Sequence, residues 1–141
     1  MKQYHLNKLS PELGAEISGI DLSKDFNEEI QNKIYDDLIN YKVLFFREQN
    51  ITPQFHVEFA KSFGSIEEPH PVYPHVEGFP EIVLLENDKD NPPDTDEWHT
   101  DVTFKNEPPF ASVLYSKTVP EVGGDTLWSS LSKIYDALPD E

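Results

Sequence analysis

The sequence predicts an α+β chain, mainly β: an incomplete double-stranded β-helix, or jelly roll, with supporting helices. Three observations carry this. Two segments repeat apolar residues at helical spacing behind clear N-caps, at 27–40 and 52–63. Around them lie short apolar or β-favouring runs separated by Pro, Gly and Asn. A jelly roll needs eight strands in two Greek keys, and only two strand-like runs follow residues 98–104. The architecture is therefore expected to be unfinished within these 141 residues.

The elements follow in order. Gln3 to Asn7 and Gly14 to Ile17 read as strands joined through the Ser10-Pro11 turn. Asn27 is placed to cap a helix whose first turn holds Glu28 and Glu29, where the helix dipole favours acids. Ile30, Ile34 and Leu38 then recur every four residues to about Asn40. Val43 to Phe46 is too short for a helix and reads as a buried strand. Thr52-Pro53 opens a second helix with Phe55, Phe59 and Phe63 on one face and Gly64 at its stop. Glu68 to Pro80, with four prolines, reads as a loop, Ile82 to Leu85 as a buried strand, and Asp88 to Asp96 as a solvated acidic loop. Trp98 to Phe104, Ala111 to Ser116 and Thr126 to Trp128 read as strands, the last after a Gly123-Gly124-Asp125 turn. Ser130 is placed to cap a short helix through Ile134 and Leu138. Trp98 and Trp128 are expected in the core, and His5 and His56 in structural or exposed positions.

Composition narrows the function. A formal charge of −16 disfavours nucleic acid and anionic membrane surfaces as partners, since both demand clustered Lys and Arg. With no cysteine there is no disulfide framework, thiolate metal site or cysteine nucleophile. The start lacks a signal-peptide apolar core and no run reaches membrane-spanning length, so a cytoplasmic location is expected.

Chemistry concentrates at His99-x-Asp101. On a strand the two side chains point the same way, pairing an imidazole nitrogen with a hard carboxylate oxygen. These are two of the three ligands of the 2-His-1-carboxylate facial triad of non-haem Fe(II) oxygenases. The plain alternative is an exposed His–Asp pair. His70 or His75 is an open candidate for a third ligand.

Four blocks occur in order: Val43-Leu44-Phe45-Phe46-Arg47-x-Gln49, His70-Pro71-Val72-Tyr73-Pro74-His75, Asn91-Pro92-Pro93-Asp94-x-Asp96-x-Trp98-His99-Thr100-Asp101-Val102-Thr103-Phe104 and Gly123-Gly124-Asp125-Thr126-Leu127-Trp128. Together they resemble the taurine/aryloxyalkanoate dioxygenase family of Fe(II)/2-oxoglutarate-dependent oxygenases, over essentially the whole chain. The resemblance implies that His99 and Asp101 bind iron and are the catalytic residues here. It implies that Thr126 hydrogen-bonds the distal carboxylate of the co-substrate 2-oxoglutarate. His70 and Tyr73 would bind a sulfonate, and both can donate hydrogen bonds to an oxyanion. Val102, through its N–H, and Phe104, through its ring, would line the substrate pocket. Alternation puts Val102 and Phe104 opposite His99 and Asp101, so those roles require an irregularity at the strand end. Thr95 stands where the taurine-acting pattern has an asparagine that contacts the substrate amine.

The implied reaction consumes 2-oxoglutarate and molecular oxygen, hydroxylates taurine or a related alkyl sulfonate beside sulfur, and releases sulfite, succinate and carbon dioxide. By the same resemblance, residues 1–141 are the N-terminal portion of a single dioxygenase domain. The absent C-terminal part would carry the second histidine and the arginines, because no histidine follows His99 and no arginine follows Arg47. Homo-oligomerisation of the full-length enzyme is left open. Two alternatives stand beside this: a truncated, inactive remnant, and a non-catalytic jelly-roll fragment that binds small molecules.

Overall fold

Alternation in Ala15-Glu16-Ile17-Ser18 organises the first part of the structure. Ala15 and Ile17 are 0% exposed while Ser18 is open to solvent, as a strand with one buried face requires. The computed structural model describes residues 4–90, 92 and 97–139. The chain divides into two units, Met1–Ile51 with Ser116–Glu141, and Thr52–Tyr115.

In the first unit, β1 (His5–Lys8) pairs antiparallel with β2 (Ala15–Ser18), and β2 pairs parallel with β3 (Leu44–Phe46). The order is β1-β2-β3. Between β1 and β2, the Ser10 hydroxyl accepts from Leu13 N at 3.1 Å and donates to Leu13 O at 2.6 Å, the turn expected from Ser10-Pro11. A parallel pair needs a crossover. Two helices supply it: α1 (Leu22–Asp25) and α2 (Glu28–Tyr41). In α2, Asn27 Oδ1 accepts from Ile30 N at 3.0 Å, and Ile30 and Ile34 are buried. The short α1 was not expected. Asp21 Oδ1 accepts from Ser23 N at 3.1 Å, and the Lys24 ammonium on Oδ2 at 2.5 Å, then Ser23, holds this carboxyl below its usual range.

Gln49, from the Val43–Gln49 block, closes this unit. Its amide nitrogen donates to Ile20 O at 3.0 Å and Arg47 O at 2.8 Å, and its oxygen accepts from Leu22 N at 2.9 Å. One side chain thus joins the turn after β2, the start of α1 and the end of β3. Arg47 reaches Glu16 at 2.9 Å.

Tyr4 is buried against α2. Its hydroxyl donates to Asp37 Oδ2 at 2.5 Å, and Lys33, itself 2.7 Å from Asp37, lies 3.9 Å over the ring. Burial, then the Asp37 hydrogen bond and the charges of Asp37 and Asp36, push the phenol far above its ordinary value. The sign follows from linkage: a raised folded-state pKa contributes fully below the unfolded value, about 10, and is lost as pH climbs above it. Stability is therefore expected to fall above pH ~10 by up to about 1.4 kcal/mol per pH unit from this group alone. Tyr4→Phe should flatten that decline in urea-unfolding midpoints measured across the alkaline range; identical slopes would refute it.

In the second unit, Thr52 Oγ1 accepts from Phe55 N at 3.1 Å at the head of α3 (Pro53–Lys61). Phe55 stacks on Phe59 with ring centroids 6.0 Å apart, and Phe63, just past the helix, meets Phe59 edge-on at 5.2 Å. α3 packs on β5 (Phe79–Val83), which pairs antiparallel with β4 (His75–Val76). A hairpin thus occupies part of the expected 68–80 loop. Gly78, at φ +78°, makes its tight turn. The expected 82–85 strand begins earlier, and Leu84 and Leu85 are exposed instead of buried.

Other expectations are corrected. Residues 98–104, 111–116 and 126–128 form no strands, and helices hold more of the described chain than strands do. β-favouring residues describe a fit to a pleated, half-buried surface. Without a neighbouring edge to complete the ladder, they do not make a strand. Trp98 and Trp128 are exposed, not core, although Trp128 meets the Phe45 ring edge-on at 5.2 Å. α4 (Leu131–Asp136) starts where expected, with Ser130 Oγ accepting from Lys133 N at 3.3 Å, but Ile134 and Leu138 are exposed. Gln3 of the first expected strand lies outside the described residues. No helix among the described residues is long and apolar enough to cross a membrane.

Candidate functional site

His99 and Asp101 meet in a turn instead of on a strand. Val102 has φ +52° and its carbonyl accepts from Lys105 N at 3.2 Å, so the chain reverses immediately after the pair. Positive φ is unfavourable for a β-branched residue and marks a locally strained backbone. The Thr100 and Thr103 hydroxyls, 2.6 Å apart, bridge the same turn. This supplies the irregularity that the roles implied for Val102 and Phe104 require. Phe104, however, is 87% exposed, and Val102 is half-buried.

The pair has a defined polarity. His99 Nδ1 lies 2.9 Å from the Glu97 carbonyl oxygen. A carbonyl only accepts, so Nδ1 carries a proton, and in the neutral form of the ring the lone pair is at Nε2. Nε2 lies 3.4 Å from Asp101 Oδ1. In that form two electron-rich atoms face each other, an arrangement that a proton or a metal cation between them satisfies. Two donors held about 2.1 Å from one ion at a right angle lie roughly 3 Å apart, close to the observed separation. An imidazole whose other N–H is held by a backbone carbonyl is the usual outer support of a metal-binding histidine. The donor set therefore fits a divalent metal. The side chains are 57% and 62% exposed, so the pair is open. Among the described residues, no three His, Cys, Asp or Glu side chains gather as a metal cluster.

The other half of the carboxylate is held from a distance in sequence. Ser112 Oγ donates to Asp101 Oδ2 at 3.4 Å. The adjacent Val113 carbonyl accepts from His56 Nε2 on α3 at 2.9 Å, and the His56 and Tyr115 rings meet edge-on at 6.3 Å. Lys105, just past the turn, pairs with Glu67. α3 thus anchors the 111–115 segment that meets Asp101. Sequence reading assigned nothing to Ser112 and only a structural or exposed place to His56. Neither stands at a spacing from His99 that signals a contact.

The His70 and Tyr73 rings lie with their centroids 4.6 Å apart. His70 is exposed and Tyr73 half-buried. Thr126 is exposed and belongs to the first unit. Thr95 lies outside the described residues.

Known proteins agree on the family. An alkylsulfatase from Acinetobacter baylyi is 39% identical over 140 residues, covering 99% of this chain and 43% of the relative. An alpha-ketoglutarate-dependent sulfate ester dioxygenase from Pseudomonas putida is 40% identical over 131 residues, covering 91% and 42%. Among solved structures, a taurine dioxygenase from Burkholderia xenovorans superposes with a TM-score of 0.53 at 36% identity, covering 59% of this chain and 31% of that one. The chain thus spans about two fifths of the length of the curated relatives it matches. The family model described as "Taurine catabolism dioxygenase TauD, TfdA family" matches residues 5–141, and the chain belongs to the TauD/TfdA family.

Proposed function

We propose that the chain is part of an Fe(II)- and 2-oxoglutarate-dependent dioxygenase acting on a small organic molecule that ends in a sulfonate or sulfate ester group. The observation that carries this is the His99 Nε2–Asp101 Oδ1 approach of 3.4 Å, with the Glu97 carbonyl fixing the histidine tautomer. The substrate class draws support from relatives named for alkyl sulfates, sulfate esters and, in a yeast relative 28% identical to the chain, sulfonates. These substrates share a monoanionic sulfur–oxygen head.

On this reading His99 and Asp101 hold the metal, through Nε2 and Oδ1. Ser112 occupies Oδ2, which favours a monodentate carboxylate and leaves more of the metal open. His70 and Tyr73 donate to the sulfur-bound oxygens, and Thr126 donates to the far carboxylate of 2-oxoglutarate. The bound iron, with 2-oxoglutarate and oxygen, supplies the oxidation of a C–H bond, releasing succinate and carbon dioxide. Hydroxylating the carbon that bears the sulfur group leaves a product that breaks down to an aldehyde. The head departs as sulfite from a sulfonate and as sulfate from a sulfate ester. A third protein ligand and a cationic partner for 2-oxoglutarate come, on this proposal, from the remainder of a single domain built as a jelly roll.

Taurine is the narrower proposal, with Thr95 in the position that reads its amine. The complete protein should consume 2-oxoglutarate only with Fe(II), oxygen and a substrate of this class. Comparing taurine, an unaminated alkyl sulfonate and an alkyl sulfate separates the alternatives. If Thr95 replaces an amine contact, Thr95→Asn lowers KM for taurine more than for the unaminated sulfonate, by an interaction worth about 0.5–3 kcal/mol. Equal effects on both would show that position 95 does not read the amine, and no turnover on any of the three would overturn the substrate class.

A further inference from the structure

The His70–His75 loop contains a second, unassigned histidine with a defined hydrogen bond. His70 Nδ1 receives the backbone N–H groups of Val72 and Tyr73, each at 3.3 Å. A nitrogen that accepts two N–H groups carries no proton, so the His70 proton sits on Nε2. Five residues on, His75 Nε2 lies 3.0 Å from the His70 carbonyl oxygen. That oxygen only accepts, so His75 Nε2 donates. The other ring nitrogen of His75, Nδ1, is buried without a hydrogen-bond partner among the described residues. Such a group carries a desolvation cost, and a buried one calls for an explanation.

The loop between the two histidines contains Pro71 and Pro74, which offer no N–H to brace it. Its far end is fixed: Leu84 N donates to Pro74 O at 2.8 Å, and His75 pairs with Val83 in the β4–β5 ladder. Its near end, at His70, is fixed through His75. We infer that His75 is a positioning residue for His70: from β4 it fixes the His70 carbonyl. The backbone turn then keeps Val72 and Tyr73 N–H on Nδ1, and His70 presents Nε2–H to an anionic sulfur–oxygen head. The inference rests on the proposed reading of this loop as the head-group site. With two backbone donors on Nδ1, the neutral ring has its proton at Nε2.

The test uses the complete protein in metal-free form, with imidazole nitrogen NMR for the tautomer and steady-state kinetics after reloading. His75→Phe removes the donor and keeps a ring; His75→Gln keeps a donor at the Nε2 position. His70 signals are assigned by their loss in His70→Ala. The expected result is that His75→Phe shifts His70 from the Nε2–H form toward a tautomer mixture. It should also raise KM for the sulfur substrate roughly 3–10-fold, the loss of one hydrogen bond, with KM for 2-oxoglutarate unchanged. His75→Gln should restore both. An unchanged His70 tautomer in His75→Phe overturns the inference, as does an equal effect of both variants on every parameter. If His70→Ala leaves substrate KM unaltered, the head-group reading fails instead, while the tautomer shift still reports whether His75 positions His70.

Discussion

In the complete protein, His99→Ala and Asp101→Ala are each expected to abolish tight Fe(II) binding and turnover. On the proposed reading, each removes one protein ligand from the site built around His99 Nε2 and Asp101 Oδ1, 3.4 Å apart. The loss does not come from unfolding, because both side chains are more than half exposed and sit in a turn. Thermal midpoints of the metal-free variants should therefore match the parent. Ser112→Ala provides the graded comparison. It frees Asp101 Oδ2 without removing a ligand, and loss of such outer support costs about 10–100-fold in metal affinity or activity. Anaerobic titration with Fe(II), together with 2-oxoglutarate consumption, reads both effects. Robust turnover by either alanine variant at the ligand positions would refute the assignment.

What the sequence disclosed depended on the range of the interaction. Helices α2 and α3 were readable because their causes are local: Asn27 and Thr52 cap, and apolar residues recur every four positions. The β1–β2 pair was readable for the same reason, through the Ser10 turn. Segments 98–104 and 111–116 carry equally β-favouring residues, yet run as turn and loop, because a strand is defined by its neighbour. The Val43–Gln49 block had been matched as a motif without a physical role. Gln49 supplies one, through three hydrogen bonds that no local pattern announces. At the site, His99-x-Asp101 was legible as a pair, although strand alternation was the wrong reason for it: the two meet in irregular chain just before the Val102 turn. Ser112 and His56 were not legible as neighbours of the site, since their contacts span 11 and 57 residues.

Expressed alone, the 141 residues are expected to be catalytically silent and poorly soluble. The described residues contain no group of three metal-binding side chains, so Fe(II) would have two firm protein ligands at an open turn. Its affinity should fall by orders of magnitude below that of a three-ligand site. The single arginine, Arg47, is already paired with Glu16, and the formal charge of −16 opposes binding of a dianionic co-substrate. The surface points the same way. Trp98, Phe104 and Leu114 in one unit, and Val122, Leu127 and Tyr135 in the other, are all exposed. Large apolar side chains left uncovered favour association between copies. Anaerobic addition of Fe(II) and 2-oxoglutarate to the purified 141-residue chain should give no visible metal-to-ligand charge-transfer absorption, and taurine should release no sulfite. Light scattering should show aggregates at micromolar concentration. A clear absorption band with taurine-dependent sulfite release from monomeric chain would overturn this expectation. It would require a third ligand from within these residues, with His70 or His75 the first to replace.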